Sequence, residues 1–502
     1  MKRLVSIIVA LVAMTALSAQ EYLHIDSRWH GAVIPIEEID SITYGELSHE
    51  DKLPALIASD PNLSLFSEAL QLTHMADSLL AYVNYDWYIK DDIFIDWNIY
   101  IPTLKRSYYK YTAFVETNEV YARYGIRTIE DLKDYAAKIY DEAYPEDAGI
   151  SDPTDRRNSL NRFVSYHLIN KYGTTKTLTV ADPEVKECYG REVIDIANWY
   201  ETLMPHSILK CSEPLLTAEV EQIYVNRRGV ADHADGRGVF VKGAQITHSA
   251  STVNGIYHYI DDIIAYDKET QAVTLNDRIV LNNTTLTPEI MNSGITRVPE
   301  RDLYYAVLPD IVKMEGMSIS EMLQMQYVYY GGNLLDGDEF LLEDVYMGDD
   351  FTLNLPAVPA GEYEVCLGVV APHCYSSKKH SAEFYFNGES CGDSINLTRN
   401  IAQDYGWVSD ATLGSEQAIA ENDSLLYTHR WRKGLPYYYP KKKASGISQR
   451  DIETAGRYVV TRFTSDGKSD NRLTMKFYNE HSISQFHIDY VELCPVSICD
   501  NK

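Results

Sequence analysis

A basic and aromatic stretch, His429 to Arg450, has residue types that suit ligand binding. It contains seven lysines and arginines and no acidic residue, although acidic residues outnumber basic ones 73 to 45 in the whole chain. Flat aromatic faces stack on the C–H face of a sugar ring, and Lys and Arg pair with carboxylate or sulfate groups. The alternative is a solvated basic loop that packs on an acidic neighbouring domain. The candidate ligand-binding residues are Trp431, Arg432, Tyr437, Tyr438, Tyr439 and Lys441.

Motifs for catalysis or metal binding are weak. Asp232-His233-Ala-Asp235 has ligand types beside several glycines, but the same order is typical of a polar turn. Asp336-Gly-Asp-Glu339 lacks the spacing of a calcium loop, and no Gly-x-Ser-x-Gly, His-Glu-x-x-His or Walker pattern occurs. We therefore expect no enzyme, metal or cofactor. A carboxylate pair for glycoside hydrolysis stays open, because such pairs meet only in space.

The first residues predict export. Lys2 and Arg3 precede an apolar run, Leu4 to Leu17, and a small-residue site ends at Ala19. This is the pattern of a signal peptide, and the run is shorter than the ~20 residues of a spanning helix. No later segment approaches that length, so we expect a soluble chain in the periplasm, at the cell surface or outside. Seven cysteines follow, and their odd number leaves at least one unpaired or intermolecular if disulfides form.

Composition and charge limit the class of protein. The chain has 502 residues, of which 45% are hydrophobic, so it is long enough for several packed cores. A net charge of −28 repels phosphate backbones, and we expect no nucleic-acid partner. Tyrosines outnumber phenylalanines 39 to 12, which favours half-exposed sheet surfaces and a recognition face.

The spacing of apolar residues separates a mixed first half from a strand-rich second half. Helical periodicity follows Asp60-Pro61 and recurs over Thr128 to Ala143 and Ser159 to Leu168. A buried strand is predicted at Tyr111 to Val115, with a helix start at Thr117-Asn118. After about residue 350 the chain alternates apolar and polar residues in runs of five to eight, with no helical pattern between them. This predicts an antiparallel β-sandwich.

Three motifs in the first half resemble the fasciclin family, in the family's order. They are Tyr111–Tyr121 (strand, Thr-Asn turn, helix), Ser165–Ile169 around a Tyr-His pair, and Asn254–Asp262 (Asn-Gly turn and strand). Glu116 stands where the family usually has proline, and the spacings are longer. The resemblance implies that Tyr166 and His167 form an adhesion contact. The alternative is a packing role in the core, as also expected for His258 and Asp261.

The second half resembles a galactose-binding-like jelly roll at Pro359–Val365 and Ile488–Leu493, and the leader Glu37–Ile42 is similar to leaders of bacterial envelope fasciclin proteins. We therefore predict an α+β protein, a fasciclin-like domain followed by an antiparallel β-sandwich. The predicted boundaries are a signal peptide (1–19), a leader (20–40), the fasciclin-like domain (41–268), a bridging region and start of the second domain (269–345), and the sandwich (346–502).

The predicted function is adhesion or ligand binding by an exported, non-catalytic envelope protein that recognises a glycan or a surface protein. Two other classes remain open. One is a carbohydrate-active enzyme with an accessory sandwich module, and the other is a structural assembly component of the envelope.

Overall fold

The computed structural model describes residues 22–27, 30–35, 52–84, 107–175, 177–179, 195–214, 222–227, 238–243, 251–252, 254–274, 277–293, 303–307, 314–320, 323–329, 335, 338–343, 347–369, 380–396, 399–435, 449–479 and 486–499. The chain forms two units, Met1–Ser48 and His49–Lys502. The first contains an antiparallel hairpin of β1 (Tyr22–Ser27) and β2 (His30–Pro35). The predicted signal peptide lies outside the described residues. None of the helices in these ranges combines the length and the apolar character that crossing a bilayer requires.

The second unit contains all the described helices and the remaining strands. The helices are α1 (Leu53–Ser59), α2 (Ser64–Leu72), α3 (Met75–Ser78), α4 (Asn118–Arg123), α5 (Ile129–Ala143), α6 (Ser159–Tyr166), α7 (Lys268–Thr274), α8 (Asn283–Leu286), α9 (Pro288–Ser293), α10 (Ile401–Tyr405), α11 (Asp410–Leu413), α12 (Glu416–Thr428) and α13 (Val496–Cys499). The strands are β3 (Tyr111–Glu116), β4 (Leu168–Ile169), β5 (Asp195–Glu201), β6 (Ile208–Pro214), β7 (Ile223–Val225), β8 (Val239–Gly243), β9 (Ser251–Thr252), β10 (Gly255–Ile260), β11 (Ile279–Asn282), β12 (Leu303–Val307), β13 (Met317–Ile319), β14 (Gln324–Tyr329), β15 (Asp338–Glu343), β16 (Asp350–Leu355), β17 (Gly361–Val369), β18 (His380–Phe386), β19 (Glu389–Ser390), β20 (Ile395–Asn396), β21 (Trp431–Arg432), β22 (Arg457–Ser465), β23 (Asn471–Asn479) and β24 (Phe486–Pro495).

One eight-stranded sheet lies in the first half, in the order β4, β3, β10, β8, β7, β6, β5, with β9 beside β10. β10 runs parallel to β3, and the other described neighbours are antiparallel. Just before β10, the side-chain oxygen of Asn254 accepts from Leu53 N (2.9 Å), and its amide donates to Leu79 O (2.7 Å). A Cβ at Gly255 would lie 2.8 Å from the Leu53 side chain and 2.9 Å from Tyr111 O. The Asn-Gly turn therefore ties helix α1 to the sheet at a point where a side chain does not fit.

Two antiparallel sheets lie in the second half. One has the order β12, β14, β15, β24, β17, β22, β21, with β11 also on β24, and the other has the order β13, β16, β23, β18, β19, with β20 on β18. Aromatic rings join the two sheets, since Phe386 lies 4.5 Å from Phe463 and Phe384 lies 5.3 Å from Tyr458, measured between ring centroids. The sheets thus face each other across an apolar core. Strands β11 to β15 belong to them and come from residues 269–345, which the sequence predicts as a bridging region and the start of the second domain.

The helices of the first half begin where capping residues stand. Thr128 accepts from Asp131 N, and the Asp131 carboxylate accepts from Thr128 N, a reciprocal capping box that starts α5. At the start of α6, the Asn158 side chain accepts from Leu160 N (2.9 Å) and Asn161 N (3.3 Å). The apolar run after Asp60 is broken at His74, whose φ is +56°, so the predicted long helix is two short ones. The α+β class predicted from the sequence is confirmed.

A buried carboxyl group in the larger of the two facing sheets predicts an unusual pH dependence. Asp338 is fully buried, accepts from Tyr327 Oη (2.7 Å), and burial raises its pKa from 3.8 to about 7. Between these two values the unfolded state has released a proton that the folded state still holds. The free energy of unfolding therefore falls as the pH rises through this window, by up to about 4 kcal/mol at 1.36 kcal/mol for each pKa unit.

Replacing Asp338 with asparagine removes this titration. We expect the Asp338→Asn variant to lose less stability than the wild type between pH 4 and pH 7.5, measured as urea unfolding midpoints. Other buried acids titrate in the same range, so the measured quantity is the difference between the two proteins. Identical pH profiles for both proteins would contradict the assignment.

Candidate functional site

The predicted adhesion pair is internal. Tyr166 and His167 are fully buried at the end of α6. The Tyr166 hydroxyl donates to Ile208 O (3.2 Å) and accepts from the Asn226 amide (2.9 Å). The ring nitrogens of His167 lie 2.7 Å from Phe163 O and 2.8 Å from Glu116 Oε1. Neither side chain presents surface to a partner, so the packing alternative fits the structure.

The carboxylate of Glu116 fixes the orientation of the His167 ring. Glu116 stands where the fasciclin family usually has proline. Its carboxylate is fully buried at the end of β3 and accepts from Tyr121 Oη (2.9 Å) and Ile264 N (3.3 Å) as well as facing His167. His258 has a structural role of the same kind. Its Nε2 lies 2.8 Å from Gly173 O, and burial lowers its pKa to about 4.

The basic and aromatic stretch folds inward where the structure describes it. Trp431, on β21, is 2% exposed, and its ring meets Tyr458 edge-on. Arg432 donates to Glu364 (2.6 Å) and Arg450 donates to Asp423 (2.7 Å). The face of Trp431 is thus unavailable to a sugar, and these cations are neutralised within the protein. Three tyrosines and one lysine of the prediction, Tyr437, Tyr438, Tyr439 and Lys441, lie outside the described residues.

A cavity of about 470 Å³ lies where the first sheet meets the second half. Lys171, Trp199 and Glu201 line it from one side, and Glu315, Asp470 and Arg472 line it from the other. Lys171 follows β4 and Glu201 ends β5, whereas Asp470 precedes β23. The lining combines apolar side chains, among them Leu281 and Leu286, with charged groups of both signs, and Trp199, which is 4% exposed, borders it. Sites for small polar ligands combine these two kinds of lining.

Two groups in this cavity have unfilled hydrogen-bonding capacity. The Lys171 ammonium is buried and donates to Asn170 Oδ1 (3.0 Å), its single partner among the described residues. Burial lowers the pKa of Lys171, although Glu315 and Glu201 oppose that shift. Glu201 is exposed at the wall of the cavity. The protein atoms crowded around its carboxyl group nevertheless raise its pKa by desolvation, and solvent access weakens that effect. No partner of the Glu201 carboxyl group lies in the described part of the chain.

A buried carboxyl group outside the lining fixes the backbone of Glu315. Glu289, on α9, is buried, and its Oε1 accepts from Glu315 N (2.7 Å). Its Oε2 is buried without a hydrogen bond to any described residue. Desolvation raises the pKa of Glu289 to about 7. Glu315 is in turn fixed by the Asn170 amide, which donates to its Oε2 (2.7 Å).

A larger cavity of about 630 Å³ also borders Trp199. Two pairs of its polar groups are engaged with each other: Lys210 pairs with Asp277, and the Tyr124 hydroxyl donates to Asp262. A ligand there would have to break these contacts. The smaller cavity, in which Lys171 and Glu201 retain capacity, is therefore the candidate site.

Reasoning from the sequence did not find this site. Lys171, Glu201, Glu289 and Glu315 are far apart along the chain and belong to no motif. Only the packing of β4, β5 and α9 brings them together, so no spacing rule could have signalled them.

Comparisons with known proteins give weak likenesses. No protein-family model and no curated protein matches the chain. Among solved structures, a FAS1 domain pair from the insect cell adhesion molecule fasciclin I is 15% identical, with a TM-score of 0.24, over 44% of this chain and 52% of that one. A Paenibacillus xanthan lyase is 12% identical, with a TM-score of 0.21, over 58% and 21%. An exo-β-1,3-galactanase from Phanerochaete chrysosporium is 11% identical, with a TM-score of 0.16, over 38% and 28%. The chain spans about half or less of each of these structures.

Proposed function

We propose that this is an exported, non-catalytic envelope protein that binds a glycan in the cavity beside Trp199. The observation that carries the proposal is the convergence on one cavity of Lys171 and Glu201, both with hydrogen-bonding capacity that no described residue uses. Sugar hydroxyl groups accept from an ammonium and donate to a carboxylate, so the pair matches a saccharide. Export rests on the predicted signal peptide.

We also propose the finer fold as a fasciclin-like domain followed by a galactose-binding-like sandwich. The Thr-Asn turn supports the first part: Thr117 caps α4, and the Asn118 side chain accepts from Leu65 N (3.2 Å) and donates to Pro61 O (3.1 Å). The two facing antiparallel sheets support the second part. The two family names in this proposal come from the sequence motifs that resemble fasciclin and galactose-binding-like domains.

A carbohydrate-active enzyme is a second candidate, and one observation favours it. Glu201 lines the cavity and its pKa is raised, and a carboxylic acid that stays protonated near neutral pH can act as a general acid. An assembly component whose surfaces meet only other proteins would not need such a group.

Binding to a glycan array tests the proposal. We expect the Lys171→Met and Glu201→Gln variants each to bind the recognised glycan at least about tenfold more weakly, since each loses a hydrogen bond to a charged group. Lys133→Met, at a half-exposed lysine on α5, is the matched control and should bind as the wild type does. Absence of binding to any glycan would favour the assembly component, and new reducing ends after incubation would favour the enzyme.

A further inference from the structure

Two cysteines near the end of the described chain lie close to each other. Cys494 is the second-to-last residue of β24, and Cys499 ends the short helix α13 that follows it. The Cys499 thiol lies 3.1 Å from Cys494 O, and both thiols contact the same carbonyl oxygen, Pro495 O, at 3.6 Å (Cys494) and 3.2 Å (Cys499). Both side chains are almost fully buried.

The surroundings of this pair include a positive charge. Arg278 Nη1 donates to Cys494 Sγ (3.1 Å) and to Glu492 Oε1 (2.8 Å), and Nη2 donates to Ile498 O (3.3 Å). Arg278 thereby links the Cys494 side chain to helix α13 in the folded protein.

We propose that Cys494 and Cys499 form an intrachain disulfide that fixes helix α13 against β24. The oxidant is a small or protein-borne disulfide, encountered before the pair is buried in the folded protein. The thiolate of one of the two cysteines attacks one sulfur of the oxidant and releases its other half as a thiolate. The other cysteine then loses its proton and attacks the mixed disulfide at the sulfur of the first, which releases the second half as a thiol. One oxidant disulfide is reduced for each protein disulfide formed.

Digestion with trypsin allows the mass of a single peptide to show whether this disulfide has formed. No lysine or arginine lies between Phe477 and Lys502, so both cysteines fall in a single tryptic peptide. The full-length protein is refolded in a mixture of oxidised and reduced glutathione, alkylated under denaturing conditions and digested without reductant. We expect this peptide to carry no alkyl group and to be lighter by two hydrogen atoms than its reduced form.

Matched variants separate this bond from other pairings. Cys494→Ser and Cys499→Ser should each leave the remaining thiol alkylated, and Cys366→Ser, at a buried cysteine on the neighbouring strand β17, should leave the bond intact. The urea midpoint should be higher for the oxidised than for the reduced wild type, and this difference should vanish in Cys499→Ser. Two alkylated thiols in the refolded wild type, or Cys494 joined to Cys366, would overturn the proposal.

Discussion

Replacing Glu492 with glutamine is expected to lower the free energy of unfolding by about 3–5 kcal/mol, the usual cost of removing one partner of a buried ion pair. Glu492 is fully buried on β24 and accepts from Arg278 Nη1 (2.8 Å) and Arg457 Nη1 (2.6 Å). Burial alone would raise its pKa, but the two guanidinium groups hold the pKa below the usual value. The amide of glutamine leaves two positive charges without a counter-charge.

Urea unfolding followed by tryptophan fluorescence measures this loss. Glu362→Gln is the matched control, because Glu362 lies on the neighbouring strand β17 but is exposed, and it should change stability little. A group whose pKa is depressed by folding contributes stability above its unfolded pKa, and that contribution is lost as the pH falls through the folded value. The gap between wild type and Glu492→Gln should therefore close in acid. A gap that is small at pH 7 would show that the charges relax into water.

Replacing Trp431 with alanine is expected to cost about 3–5 kcal/mol of stability rather than to remove a ligand contact. The indole is 2% exposed and packs against Tyr458, with ring centroids 5.5 Å apart. Gly456 also belongs to this packing, since a Cβ there would approach the Trp431 ring within 3.4 Å. An alanine leaves a cavity that the surrounding strands fill only in part.

A second substitution distinguishes packing from recognition. The Trp431 indole N–H is buried without a partner among the described residues, so Trp431→Phe keeps most of the ring and removes an unsatisfied donor. We expect it to lose much less stability than Trp431→Ala. Leu425→Ala, at an exposed residue of the nearby helix α12, is the control. If Trp431→Ala keeps its unfolding midpoint but loses glycan binding, the internal role assigned here is wrong.

Local signals in the sequence were sufficient for much of the first half. Thr128 and Asn158 are residue types that commonly cap helices, and both stand where helices begin. Asn254-Gly255 is a typical turn sequence, and it stands where the backbone lies close to helix α1. The break at His74 could not be predicted, because nothing in the sequence requires this non-glycine residue to take a positive φ. The break between α2 and α3 is therefore a property of packing.

In the second half, the alternation of apolar and polar residues predicted the strands but missed three helices. We expected strands only, but α10, α11 and α12 lie between β20 and β21. Their signals were present: Asn400 and Ser415 are N-caps, and Gly406 and Gly414 end two helices with positive φ. The apolar face of α12 is weak, with Leu426 its one buried apolar residue, so periodicity did not reveal it. The candidate cavity could not be found at all, because it depends on contacts between distant strands.

The position of β24 has a consequence for how the protein is made. This strand pairs with β11, β15 and β17, and Leu281 of β11 meets Val491 of β24. During synthesis, β11 emerges long before its partner, and its backbone groups have no strand to bond in the meantime. Strand pairing this late slows folding and leaves unpaired strand edges exposed, where they can promote aggregation. A nascent chain of this design should depend on a holding chaperone until β24 has left the ribosome.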